Sequence, residues 1–150
     1  MIDDPFNKKR FTWTDLDNKL HRLCAELEED CAAKFKRKPH EVFKGVYGIP
    51  RGGVIIAVML SHMLKIPYVD RLNDMYGKRF LVVDDIADTG HTLDKMKAEV
   101  FKEACFATIH YNSKESVVEP DYWVEEKGDR WIVYPWERDD AEMIQDYKRL

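Results

Sequence analysis

The chain has 150 residues, which is enough for one domain with a sizeable core, and its composition is 45% hydrophobic and 35% charged. That balance excludes the disordered class. With 24 basic and 28 acidic residues the formal net charge is −4, which argues against a chain that is primarily a nucleic-acid binder.

Membrane and secreted classes also find no support in the sequence. No apolar run is long enough to span a membrane, and the N-terminus lacks the apolar core of a secretory signal. The three cysteines form no C-x-x-C pair, so we expect reduced thiols and a cytoplasmic protein; they are Cys24, Cys31 and Cys105.

The first 40 residues predict a helical segment. Thr14 has the chemistry of an N-cap, with acidic residues in the turn that follows. Apolar residues then recur on one helical face to about Phe35, and Pro39 is expected to end the helix. The members of that face are Leu16, Leu20, Leu23, Leu27 and Cys31.

The middle of the chain alternates between strands and helices. In order we predict a strand at 42–49, a turn at 50–53, an apolar helix at 54–64, a short strand at 66–69, a polar loop at 71–79, a strand at 80–83, a turn at 88–90, a helix at 92–102 and a strand at 106–110. Continuous apolar residues at 80–83 are typical of a parallel strand covered on both faces. This order predicts an α/β domain with a mainly parallel sheet flanked by helices.

Beyond residue 120 the chain becomes rich in aromatic residues. Two aromatic strands, at 122–124 and 131–134, flank Lys127-Gly128-Asp129, and the charged tail from 138 to 150 carries apolar residues at helical spacing. We therefore predict one domain over 1–150, in which 112–150 forms a small C-terminal hood and tail.

A carboxylate-rich motif, Leu-Val-Val-Asp-Asp-Ile-Ala-Asp-Thr-Gly-His-Thr, occupies residues 81–92. The strand ends in Asp84 and Asp85, and ligands of parallel sheets bind beyond such ends. Adjacent carboxylates suit the vicinal hydroxyls of a ribose or a Mg²⁺ ion. The turn amides, with the hydroxyls of Thr89 and Thr92, suit a dianionic phosphate. The alternative is an ordinary strand followed by a capped helix.

This string resembles the motif with which type I phosphoribosyltransferases bind phosphoribosyl pyrophosphate (PRPP). The resemblance implies that Asp84 and Asp85 hold the ribose hydroxyls and that Mg²⁺ is the cofactor. It also implies that the turn wraps the 5′-phosphate through Ala87, Asp88, Thr89, Gly90, His91 and Thr92. Asp88 stands where purine-specific members have a proposed general base near N7 of the base.

A glycine turn lies one strand–helix unit earlier, in Tyr47-Gly48-Ile49-Pro50-Arg51-Gly52-Gly53. Alone it would be interpreted as a tight turn. Before the PRPP motif it resembles the family's pyrophosphate loop. The resemblance implies that the amides of Arg51 and Gly52 face pyrophosphate, that the loop contains a cis peptide, and that Arg51 neutralises the leaving group.

The segment at 131–137 is similar to the base pocket of small bacterial and archaeal 6-oxopurine enzymes. That similarity implies that Trp131 stacks on the purine and that the backbone around Ile132 bonds its edge. The alternative is an aromatic edge strand packed in the core. Where many relatives have a lysine that contacts the 6-oxo group, this chain has Asn112, so Lys114 is the candidate for that contact.

Two other departures concern selectivity and turnover. Val133 stands where xanthine-selective enzymes place a glutamate, and the loop before Phe80 is shorter than the family's mobile lid. The predicted function is Mg²⁺-dependent transfer of phosphoribose from PRPP to a 6-oxopurine in purine salvage. The alternatives are another acceptor, hydrolysis of PRPP, or a PRPP- or nucleotide-binding sensor with little turnover. The resemblance further implies a homo-oligomer, either a dimer or a tetramer.

Overall fold

The computed structural model describes residues 7–98 and 103–138. Its elements follow in the order β1 (Lys8–Arg10), α1 (Trp13–Phe35), α2 (Pro39–Val42), β2 (Val46–Gly48), α3 (Gly52–Leu64), β3 (Tyr68–Val69), β4 (Phe80–Ala87), α4 (His91–Ala98), β5 (Ala104–Tyr111), β6 (Tyr122–Glu126) and β7 (Trp131–Val133). The tail from 139 to 150, for which helical spacing was noted, lies outside the described residues.

The central sheet has five strands in the order β3-β2-β4-β5-β6, and each neighbouring pair is parallel. The predicted α/β fold with a mainly parallel sheet is thereby confirmed. The chain passes from β2 through α3 to β3 on one side, and from β4 through α4 to β5 on the other. The strand order therefore reverses between β2 and β4, which is the topological switch point where open α/β sheets bind ligands.

Strand β4 is covered on both faces, as its apolar run predicts. Leu81 and Val83 pack into the core cluster that holds α1 and α3. Phe80 and Val82 pack into a second cluster, together with Leu93 of α4. All four side chains of the run are 1% exposed or less, so water has no access to this part of the strand. Hydrophobic burial thus holds the first half of β4 between the two clusters.

Helix α1 buries the predicted face but begins two residues earlier than expected. The N-cap is Thr12: its hydroxyl accepts from the Asp15 amide at 3.0 Å, and the Asp15 carboxylate accepts from the Thr12 amide at 2.8 Å. The predicted cap at Thr14 is wrong, because this reciprocal capping box satisfies two amides that Thr14 would leave unpaired. The helix ends at Phe35, where Lys36 takes a left-handed conformation, and Pro39 begins α2 instead.

The C-terminal region is built differently from the sequence interpretation. Strand β6, which was placed in the hood, is the fifth strand of the central sheet. The hood sheet consists of β7 and β1, paired in parallel with Lys8 opposite Trp131 and Arg10 opposite Val133. A strand at 8–10 was not predicted, because its three residues are all basic and carry no alternating apolar pattern.

Two further segments differ from the sequence prediction. Residues 42–49, predicted as one strand, divide into the end of α2 and the short strand β2. The polar loop before β4 contains a 3₁₀ helix at Leu72–Met75, and Met75 is buried in the second core cluster. This anchor ties down the segment that corresponds to the predicted short lid. Among the described helices, none is long and apolar enough to cross a membrane.

Candidate active site

The start of α3 meets the C-terminal part of β4 at the switch point of the sheet. Gly52 and Gly53 are the first residues of α3, and Asp84 and Asp85 lie within β4. A Cβ atom added to Gly52 would overlap Oδ2 of Asp85, and one added to Gly53 would lie 3.3 Å from Oδ1 of Asp84. Only glycine permits the start of α3 to approach β4 this closely. As the resemblance implied, the loop between β2 and α3 contains a cis peptide, between Pro50 and Arg51.

The parallel register aligns three strand ends. Ala87 of β4 lies opposite Tyr111 of β5, which in turn lies opposite Glu126 of β6. The next residues along the three strands are therefore Asp88, Asn112 and Lys127. Backbone bonds hold this row, since the Asn112 amide donates to Ala87 at 2.9 Å and the Lys127 amide donates to Tyr111 at 3.0 Å. Residues that are far apart in sequence thus share one edge of the sheet.

The Asp88 carboxylate is held by its neighbours in this row. Nδ2 of Asn112 donates to Oδ1 of Asp88 at 2.8 Å, and Nζ of Lys127 lies 3.3 Å from the same oxygen. Within the described residues the second oxygen, Oδ2, takes part in no hydrogen bond or ion pair. Asp88 lines the cavity that opens beyond the strand ends, so it has one acceptor oxygen for a ligand.

The turn after Asp88 has the form of an anion site. Gly90 adopts φ +79°, and a Cβ there would overlap Oγ of Ser116, so the turn requires glycine. No acceptor is found in residues 7–98 and 103–138 for the amides of Thr89 and Gly90, and α4 begins at the next residue. Unpaired amides at a helix N-terminus attract anionic groups.

One cavity, part of it open to solvent, joins these features. The cavity contains most of the predicted ligand-binding residues and adds others; it is lined by Asp84, Asp85, Ile86, Ala87, Asp88, Thr89, Gly90, Thr92, Leu93, Lys127, Trp131, Ile132, Tyr134 and Glu137.

Four predicted residues do not line this cavity. Arg51 and Gly52 lie on the loop beside it, and His91 is exposed at the start of α4. Lys114 is 79% exposed in its side chain, and its Nζ lies 3.7 Å from Asp129. Their assigned contacts with ligands stay predictions.

The wall opposite the acidic motif is aromatic. Trp131 and Ile132 face the cavity from β7, and Nζ of Lys127 lies 5.9 Å from the centroid of the Trp131 ring. The Trp131 side chain is partly exposed, whereas the Ile132 side chain is 5% exposed. An exposed indole face beside a cavity is available to stack on a planar ring.

A buried polar network ties the hood to β4. The Tyr134 hydroxyl lies 2.8 Å from Nδ1 of His110 and 3.3 Å from the carbonyl oxygen of Asp85, and Nε2 of His110 lies 3.0 Å from Glu125. Burial lowers the pKa of His110 to about 4, against the opposing effect of Glu125. The ring is therefore neutral at pH 7, with Nε2–H donating to Glu125 and Nδ1 accepting from Tyr134.

The cavity is electrostatically unbalanced. Among residues 7–98 and 103–138, four carboxylates line it, from Asp84, Asp85, Asp88 and Glu137, against one ammonium group, that of Lys127. Burial, together with the nearby Asp85 and Asp84, raises the pKa of Tyr134 well above its ordinary range, so its hydroxyl stays protonated. No group of three or more metal-ligating side chains occurs in the part of the chain that the structure describes. The carboxylates therefore suit hydroxyl donors, or a cation that takes its other ligands from a substrate.

A parallel sheet with two glycines and two carboxylates at its switch point, a turn suited to phosphate and an aromatic wall defines a nucleotide-binding α/β protein. Comparison with known proteins narrows that class. The chain is 30% identical over 139 residues to the xanthine-guanine phosphoribosyltransferase of Idiomarina loihiensis, covering 79% of this chain and 82% of that protein. No family model matches the chain.

Solved structures agree with this relationship. The purine phosphoribosyltransferase of Pyrococcus horikoshii superposes with a TM-score of 0.70 at 30% identity, covering 93% of this chain and 99% of the other. A Neisseria gonorrhoeae protein described as hypothetical, with bound ppGpp, gives a TM-score of 0.58 at 26% identity and covers 96% and 95% of the two chains. The chain belongs to the purine branch of the type I phosphoribosyltransferases. Its reaction is transfer of a phosphoribosyl group to a purine.

Replacement of Tyr134 by phenylalanine tests the hood network. The variant leaves the buried Nδ1 of His110 without a donor, so we expect the free energy of unfolding to fall by about 1–3 kcal/mol in urea titrations. Tyr111→Phe is the matched control, because the half-buried Tyr111 hydroxyl has no hydrogen-bond partner among the described residues; we expect a change within about 0.5 kcal/mol. Equal losses in the two variants would contradict the network.

Proposed function

We propose that the protein transfers phosphoribose from PRPP to a 6-oxopurine and releases a nucleoside monophosphate and pyrophosphate. The observation that carries the proposal is the shared cavity. Asp84, Asp85 and the turn to Thr92 line one side, and Trp131 lines the other. A ligand that spans this cavity needs hydroxyls, a phosphate and a planar ring, which are the parts of a purine nucleotide.

The acidic motif is the proposed ribose-phosphate site. Asp84 and Asp85 accept hydrogen bonds from the two ribose hydroxyls, and the amides and hydroxyls from Ala87 to Thr92 donate to the 5′-phosphate. His91 begins the helix and donates its amide or ring N–H to the same phosphate. The positive φ of Gly90 supports this assignment, because it turns consecutive amides toward one point.

Mg²⁺ is the proposed cofactor, with Asp84 and Asp85 as its protein ligands. Two adjacent carboxylates fit an ion that keeps several waters and takes its remaining ligands from phosphate oxygens. When bound, Mg²⁺ would neutralise negative charge on the pyrophosphate group. The excess of carboxylates in the cavity supports a bound cation.

The loop after β2 is the proposed pyrophosphate site. Gly52 lies next to Asp85, and Arg51, the residue before it, has an exposed side chain. The amides of these two residues bind pyrophosphate oxygens, while the guanidinium group of Arg51 offsets the charge that builds up on the leaving group.

Asp88 is the proposed base of the reaction. The bond from C1′ of the ribose to pyrophosphate breaks, and its electron pair leaves with pyrophosphate. N9 of the purine forms the new bond to C1′, and the proton on N7 passes to the Asp88 carboxylate. Trp131 and the backbone at Ile132 hold the ring for this attack, while Asp84 and Asp85 stabilise the positive charge on the ribose.

The biological setting is also a proposal. Purine salvage follows from the reaction, because the reaction consumes a free base. A cytoplasmic location is proposed from the cysteines, since Cys24, Cys31 and Cys105 are all free thiols. Assembly into a dimer or tetramer follows from the family resemblance alone.

A regulatory protein that binds PRPP or a nucleotide is the second candidate. It is favoured by the bound ppGpp of the Neisseria relative and by the short segment before β4, which Met75 anchors to the core. A lid that does not close leaves the reacting groups open to water, which lowers turnover.

Pyrophosphate release separates the candidates. The protein is mixed with PRPP, Mg²⁺ and one base at a time, chosen from hypoxanthine, guanine, xanthine and adenine. We expect release with 6-oxopurines and little with adenine. Release without any base indicates hydrolysis, and tight PRPP binding without release supports the regulatory candidate.

Asp88→Asn tests the proposed base. We expect kcat to fall about 100-fold or more, because an amide accepts no proton from N7, while the Kd of PRPP stays unchanged by calorimetry. Asp94→Asn is the matched control, since Asp94 is an exposed aspartate of α4 that does not line the cavity. An unchanged kcat in Asp88→Asn would refute the role of this carboxylate.

A further inference from the structure

Lys127 occupies an unusual position for a lysine. It is the first residue beyond β6, and the glycine after it starts the turn toward β7, so a solvated side chain would be the ordinary outcome. Its side chain is instead only 12% exposed and reaches across β5 to Asp88. Burying an ammonium group is costly unless the group is paired. The contacts of the Lys127 ammonium group must therefore compensate for its burial.

Its contacts are a carboxylate and an aromatic ring, both in the cavity wall. Nζ lies 3.3 Å from Oδ1 of Asp88 and 5.9 Å from the Trp131 ring centroid. Asn112 donates to the same Asp88 oxygen. The cavity thus presents an ammonium donor beside a carboxylate whose Oδ2 is available, next to the indole that forms its aromatic wall.

The Asp88 carboxylate and the Lys127 ammonium group together match the hydrogen-bonding groups on one edge of a purine ring. In a 6-oxopurine, the exocyclic oxygen and N7 are neighbours on the same edge, while adenine has an amino group in place of the oxygen. A free base with its proton on N7 offers a donor next to an acceptor. Asp88 can accept from N7–H while the ammonium group of Lys127 donates to the oxygen. An ammonium group has only donors, so it cannot accept from an amino group.

We propose that Lys127 determines the choice of base, by donating to the exocyclic oxygen of a purine that lies against Trp131. The inference rests on the proposed function, and it moves this contact from Lys114 to the end of β6. Asn112 takes a positioning role, because its hold on Oδ1 leaves Oδ2 of Asp88 to face the ligand.

A purely structural role for Lys127 makes a different prediction. If the ion pair with Asp88 only ties β6 to β4, loss of the ammonium group lowers the free energy of unfolding and leaves the preference among purines unchanged. The preference for an oxo over an amino ligand is therefore the measurement that separates the two roles.

The test uses Lys127→Met, which keeps the length of the side chain but removes its donor. Lys114→Met is the matched control, because Lys114 is exposed and does not line the cavity. Calorimetry gives the Kd of inosine monophosphate and of adenosine monophosphate for each protein. We expect wild type and Lys114→Met to prefer the inosine compound, and Lys127→Met to lose about tenfold or more of that preference, as for removal of a charged donor. If Lys127→Met does not fold, Lys127→Gln is measured in its place, with the same expected direction.

Each outcome decides the inference. An unchanged preference in the Lys127 variants overturns it, as does a loss of preference in Lys114→Met, which would return the contact to Lys114. If the Lys127 variants lose the preference that wild type shows, but wild type releases no pyrophosphate with any 6-oxopurine, the proposed reaction fails while the role of Lys127 in binding stands. If wild type turns over 6-oxopurines and the variants keep its preference, the reaction stands and the role of Lys127 fails. If wild type binds neither monophosphate, both are rejected.

Discussion

The parallel register of β4, β5 and β6 is the constraint on which the site depends. In a parallel sheet all strands end at the same edge, so one residue beyond each strand falls in a common row. Here that row is Asp88, Asn112 and Lys127, fixed by the pairing of Ala87 with Tyr111 and of Tyr111 with Glu126. A shift of one residue between any two strands would separate the carboxylate from its two donors.

Hydrophobic burial maintains this register. Leu81, Val82 and Val83 are fully buried between two layers of helices, so β4 cannot slide without exposing apolar side chains. The hood is held to the same edge by the contact of Tyr134 with His110 and Asp85. The core thus positions the acidic end of β4, and the hood network sets the distance between that end and the aromatic wall.

Sequence reasoning predicted what local patterns encode. The helical face of α1, the doubly covered strand β4 and the string from Asp84 to Thr92 each have a short-range signature, and the structure has all three. The predicted end of the strand was wrong, because β4 continues to Ala87 and contains Asp84 and Asp85. Asp88 and Trp131, which lie 43 positions apart in the sequence, were assigned to one site through the family resemblance, and they do line one cavity.

The features that were missed depend on long-range pairing. Lys127 looked like part of a turn, because nothing local to it shows that β6 joins the central sheet. Once β6 is aligned with β5, Lys127 falls in the same row as Asp88 and Asn112. This alignment of the strand ends is the signal that could have found Lys127. Strand β1 was missed for the same reason, since its partner β7 lies at the far end of the chain. The predicted cap at Thr14 was a local error, because Thr12 and Asp15 already have the spacing of a capping box.

The most direct test of this account is a crystal structure with inosine monophosphate bound. We predict the 5′-phosphate against the amides of Thr89 and Gly90, the ribose hydroxyls at Asp84 and Asp85, the base stacked on Trp131, and its exocyclic oxygen within hydrogen-bond distance of Nζ of Lys127. A phosphate bound away from the turn after Asp88, or a base that leaves Trp131 uncovered, would contradict the account.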